Sequence, residues 1–82
     1  MYIHIGSHRT VKRSSVIGFF DLDGDVTPKV TADFLRRAEE AGIVDSAGTD
    51  IPRSFVLCED KEGERVILSH ISSKTLRDRA EK

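Results

Sequence analysis

The stretch 15-SVIGFFDLDGDVTP-28 runs from an apolar segment, Val16 to Phe20, through a cluster of aspartates into Thr27-Pro28. Read as a nucleophile turn, it demands a large parallel sheet and further catalytic motifs downstream. Read as a strand leaving through a polar turn into a helix, it belongs to a small mixed domain. The chain has 82 residues, which is one domain, 1–82, near the size where a single core leaves only a few kcal/mol of margin.

The catalytic reading fails on detail. A dehalogenase-type phosphatase uses the first Asp of an Asp-x-Asp-Gly-Thr/Val turn as nucleophile and the second as general acid/base, with Mg²⁺. Asp21, Asp23 and Gly24 match, but Asp25 stands where Thr or Val is required. A calcium loop of the EF-hand type fails as well, because Val26 takes the place of its obligatory Gly and Ala32 that of its bidentate acid. What remains is turn chemistry that ends a strand and sets negative charge ahead of a helix N-terminus.

Working outward, residues 2–5 and 10–13 are extended segments on either side of Gly6-Ser7-His8, so a hairpin precedes the long strand over 15–22. Within that strand Val16, Gly18, Phe20 and Leu22 share one face and Ile17 and Phe19 the other. Both faces are apolar, and the second needs a cover. Downstream, Thr27 as N-cap, Pro28 at the first helical position and Gly42 at the end bracket a helix whose Val30, Phe34, Leu35, Ala38 and Ala41 form one apolar face. Residues 45–52 read as a loop. Residues 53–60 and 64–70 read as a hairpin turning at Lys61-Glu62-Gly63, and Ser72 or Ser73 caps a short final helix through Leu76. The expected fold is α/β of the α+β kind: a small, mainly antiparallel sheet with one central amphipathic helix and a short C-terminal helix.

Composition bounds the function. Thirteen Lys and Arg against fourteen Asp and Glu give a net charge of -1, so any contact with a polyanion must come from a local patch. Cys58 is the one cysteine, which excludes an intrachain disulfide, and His4, His8 and His70 lack zinc-ligand spacing; no metal and no cofactor are expected. The opening residues lack the charge and apolar run of a signal peptide, and no apolar run reaches membrane-spanning length, so a cytoplasmic protein without membrane contact is expected. Arg9, Lys12 and Arg13, with Ser7, Ser14 and Ser15 beside them, and Arg53 at the start of a strand, are the candidate phosphate contacts. The arginines Arg36, Arg37, Arg77 and Arg79 sit beside acids and read as solvated helix faces.

Several segments in order, namely Met1-Tyr2-Ile3-His4-Ile5-Gly6, Val16 to Asp21, the Pro28 helix, Ile51 to Leu57, and Val66 to Ser69 followed by Ser72 to Arg79, carry a resemblance. Together they resemble the bacterial extracellular matrix regulatory proteins, the RemA/RemB-like family, on the RemB-like side. The resemblance spans nearly the whole chain and implies a small α/β domain that self-associates, with ring-like oligomers in the RemA-like branch, and regulates biofilm matrix genes by binding DNA. The RemA-like arginines just before the long strand and in a Gly-Arg-Arg segment correspond here to Ser14-Ser15 and Thr49-Asp50-Ile51, and Arg53 lines up with a family arginine.

The sequence therefore leads to a non-enzymatic homo-oligomer with no catalytic residue and no small-molecule substrate. DNA is its expected partner through Arg9, Lys12, Arg13 and Arg53, and Val16, Ile17, Phe19 and Phe20 are the expected subunit interface. The alternative is an oligomeric interaction or scaffold module without DNA binding.

Overall fold

The computed structural model describes residues 1–22, 27–48 and 51–81. Along the chain come β1 (Tyr2–Gly6), β2 (Arg9–Lys12), a 3₁₀ turn (Arg13–Ser15), β3 (Val16–Asp21), α1 (Lys29–Glu40), β4 (Val44–Ser46), β5 (Ser54–Asp60), β6 (Gly63–Ser69) and α2 (Ser73–Ala80). Strands β1 and β2 form a two-stranded antiparallel sheet, and the others a four-stranded sheet in the order β3-β5-β6-β4. The fold is α+β and mainly antiparallel, as the sequence leads one to expect; Asp23, Gly24, Asp25, Val26, Thr49 and Asp50 lie outside the described residues.

The four-stranded sheet is covered on both faces. Because side chains alternate along a strand, Val56, Cys58 and Ile67 point to one face, where they pack with Ile3, Ile5 and Val11 of the hairpin and Leu76 of α2. Phe55 and Val66 point to the other face and pack under Ala38, with Phe34, Leu35, Leu57 and Leu68 around them. The result is three layers, with the sheet between α1 on one side and the hairpin with α2 on the other. Leu76 is fully buried, worth about 1.5–3 kcal/mol.

Strand β3 departs from simple alternation. Val16 pairs with Cys58 and Gly18 with Leu57, leaving Ile17 as the extra residue of a bulge. Val16 therefore joins Phe19 on the hairpin face, while Phe20 stacks on Phe55 at 4.8 Å on the α1 face. The expected grouping of Val16 with Gly18 and Phe20 is corrected by that one inserted residue.

Helix α1 begins one residue later than the sequence suggests. Pro28, with an extended ψ of 143°, holds the N-cap position in place of Thr27, and its carbonyl accepts from Ala32 N–H at 3.0 Å. At the other end Gly42, at φ +73°, lets Ile43 N–H reach Ala38 O and Gly42 N–H reach Glu39 O, a Schellman closure. Val30 is 80% exposed and Ala41 is exposed too, so the apolar face is narrower than its periodicity: Ala38, Phe34 and Leu35 make it. Val30 instead rims an apolar groove of about 220 Å³ with Phe20, Phe34 and Phe55.

The expected loop over 45–52 contains a strand. Strand β4 is short and polar, and it pairs in parallel with β6, Val44 opposite Val66 and Asp45 opposite Ile67, so its partner is distant in sequence and no local pattern announces it. The β5–β6 hairpin turns where expected, with Gly63 at φ +114°. Ser72 caps α2 by accepting from Thr75 N–H at 3.2 Å, worth about 1 kcal/mol.

Candidate phosphate-contacting and assembly surfaces

The candidate cations fall into two groups. Arg9 and Lys12 lie on β2, and Arg13 opens the 3₁₀ turn that follows. Arg13 Nε donates to Ala80 O at 2.6 Å at the C-terminal end of α2, where the helix dipole favours a cation, and its backbone N–H donates to Met1 O at 3.0 Å. One of five guanidinium donors is used in that contact. Lys12 is exposed, and its carbonyl accepts from Ser15 Oγ at 2.8 Å, which fixes the turn.

Arg53 stands apart. Its backbone N–H donates to Ser69 O at 2.8 Å and its carbonyl accepts from Leu22 N–H at 2.9 Å, at the end of β5 remote from the hairpin cations. Four residues of strand, 54–57, lie between it and Cys58, beside which Arg9 and Lys12 lie, about 17 Å at the usual strand rise. The two groups are therefore separate along β5.

Sequence reasoning passed over Arg65. Its Nη1 donates to Asp45 Oδ2 at 2.9 Å, and Arg9 Nη2 lies 3.5 Å from the same oxygen. The signal was hidden because Asp45 sits on the unforeseen strand β4, whose pairing brings it diagonally across from Arg65. The two arginines, with Lys12, Ser15, Cys58 and Asp60, line a groove whose open volume is about 240 Å³, and Asp45 pairs with both arginines. Burial raises the Cys58 thiol above its ordinary value, against the opposing pulls of the Ser15 hydrogen bond and the Arg9 charge. The thiol is a neutral, packed group at physiological pH.

Other arginines are engaged as the sequence leads one to expect. Arg36 pairs with Asp33 at 3.6 Å and Glu40 at 3.4 Å on the exposed face of α1. Such pairs contribute a few tenths of a kcal/mol each. Arg79 instead crosses to the hairpin and donates to His4 O at 2.8 Å. His4 Nε2 lies 2.7 Å from Ser7 O, and buried His70 Nδ1 has no partner among the described residues. Among the described residues no cluster of His, Cys, Asp or Glu has the makings of a metal site, and no helix is long and apolar enough to cross a membrane.

The four apolar residues of β3 divide by exposure. Val16 and Phe19 are half-buried against the chain's own hairpin and α2, while Ile17 is 55% and Phe20 41% exposed. The two apolar faces of this strand are thus accounted for within one chain, and what stands outward is the bulged Ile17 and the rim of Phe20. Strand β3 lies at one edge of the sheet and β4 at the other.

No protein-family model matches the chain. It is 30% identical over 81 residues to extracellular matrix regulatory protein B of Bacillus subtilis strain 168, an alignment that covers 99% of this chain and 91% of that protein.

Proposed function

The chain belongs to the RemB-like family of bacterial extracellular matrix regulatory proteins, and on that premise we propose that it is a cytoplasmic, non-enzymatic regulator of matrix genes that works as a homo-oligomer and grips DNA by its phosphates. The observation that carries the proposal is the placement of Arg9, Lys12 and Arg13 along one strand and its following turn, which also holds Ser14 and Ser15. Arg53 contributes a second, separate contact. Neither helix offers a basic face for reading base edges, so recognition is of backbone and shape.

Self-association is supported by β3, an edge strand carrying exposed Ile17 and Phe20 in a chain too small to hide much apolar surface. Repetition of a weak phosphate patch around an oligomer raises its affinity by avidity. The test is binding of the intact protein to duplex DNA across a salt series. Affinity falling with a slope of about 0.9 per phosphate neutralised is expected. Binding indifferent to salt overturns the proposal.

A second reading has one observation in its favour. Asp45 already neutralises part of the Arg9 charge, and the chain as a whole carries -1, which suits an oligomeric scaffold that engages protein partners. No duplex binding even at low salt, with the oligomer intact, selects that reading.

A further inference from the structure

Two guanidinium groups from different layers close on one carboxylate oxygen. Arg9 descends from β2 in the hairpin layer, Arg65 rises from β6 in the sheet, and Asp45 Oδ2 receives both, at 3.5 and 2.9 Å. All three side chains keep roughly two-fifths exposure, 38% for Arg9, 41% for Arg65 and 38% for Asp45. The fork is therefore reachable from solvent. Beside it opens the groove of about 240 Å³, with Lys12 and Ser15 on its wall and Asp60 as its one acidic member.

We propose that this groove is a phosphoryl-binding site in which Asp45 is the resident counter-anion. A phosphate group brings more charge and more acceptor oxygens than the carboxylate it displaces, so it occupies both guanidinium forks where Asp45 occupies one donor of each. Lys12 completes the shell. Because the Asp45 pairs are half exposed, releasing that carboxylate to water costs little. Asp45 thus acts as a threshold: weakly charged anions do not displace it, and polyvalent ones do. The inference rests on the phosphate-contacting reading only in giving Arg9 and Lys12 a ligand; Arg65, Asp45 and the groove are additions to it.

The phosphoryl group has two sources, the DNA backbone or a small phosphorylated molecule, and two titrations separate them. Inorganic pyrophosphate followed by backbone amide chemical shifts reports the site itself, and a labelled random-sequence duplex at low salt reports DNA. Each is run on the intact wild-type protein, on Asp45→Asn and on Arg65→Gln. Pyrophosphate is expected to shift the amides of Arg9, Ser15 and Cys58, with affinity rising about fivefold in Asp45→Asn and falling by a similar factor in Arg65→Gln. If the duplex follows the same order, the source is the DNA backbone. If the duplex binds none of the three proteins while pyrophosphate behaves as described, the DNA reading fails and the site stands for a small phosphorylated ligand. Absence of pyrophosphate-induced shifts at Arg9 and Ser15 in the wild-type protein overturns the proposal however the variants fold, and so does unchanged affinity in a folded Asp45→Asn.

Discussion

The Ser69 hydroxyl donates to the Ile5 carbonyl at 2.6 Å, and the same oxygen accepts from Ile71 N–H at 3.0 Å. Ser69 is 1% exposed, so this single side chain pins the N-terminal hairpin to the sheet and the start of the α2 connection at once. Ser69→Ala keeps the volume nearly constant but strands a buried carbonyl and a half-buried N–H. A loss of about 1–3 kcal/mol is expected in chemical denaturation. A loss below 0.5 kcal/mol would mean that water reaches both groups.

Assembly through the β3 edge is best tested at Ile17. Its side chain sits on the bulge, is 55% exposed and leaves the ladder to β5 intact when changed, whereas Phe20 also stacks on Phe55. Ile17→Asp is expected to lower the solution mass toward the monomer in sedimentation equilibrium, without a change in the far-ultraviolet circular dichroism. An unchanged mass removes this edge from the interface.

Separation of the cations predicts separable effects on DNA. Lys12→Ala with Arg13→Ala should reduce the slope of log affinity against log salt by about 2 per subunit engaged, and Arg53→Ala alone by about 1, with no change in sequence preference. Equal and non-additive losses would mean that the two groups touch the same phosphates, contrary to their placement along β5.

The buried thiol of Cys58 gives an alkaline signature. Its value in the folded protein is raised, by burial first, so the stability gained from keeping it neutral is complete below the ordinary thiol range and is lost as pH rises through the raised value. Unfolding temperature should fall more steeply between neutral pH and about pH 10 in the wild type than in Cys58→Ala. Parallel curves would show that the thiol does not titrate in this range. Alkylation at neutral pH should proceed no faster than opening of the hairpin layer, since Cys58 is 7% exposed.

Legibility in the sequence followed locality. The β1–β2 and β5–β6 hairpins and the Gly42 closure each rest on a few adjacent residues and are legible from them, and the structure selects Ser72 from the two serines that the sequence offers as the α2 cap. Strand β4 was invisible because three residues, two of them polar, acquire strand character only by lying against β6. The bulge at Ile17 was invisible because an inserted residue leaves no mark in composition, only in pairing. The Arg9–Asp45–Arg65 arrangement inherits both difficulties: its acid is on the unforeseen strand, and its arginines are 56 positions apart in the chain.

The contacts that hold the hairpin layer join opposite ends of the sequence: Ser69 to Ile5, Arg13 to Ala80, and Arg79 to His4. A polypeptide emerging in order makes β1 and β2 first, yet their anchors appear only when residues 69–80 have been added. Both hairpins close across two-residue turns at little entropic cost, but docking of β1 and β2 depends on these long-range anchors while β5 and β6 pair with each other locally. Pulse-labelling of amide hydrogens during refolding is expected to find β5 and β6 protected before β1, and simultaneous protection would show that the hairpin docks as the sheet forms.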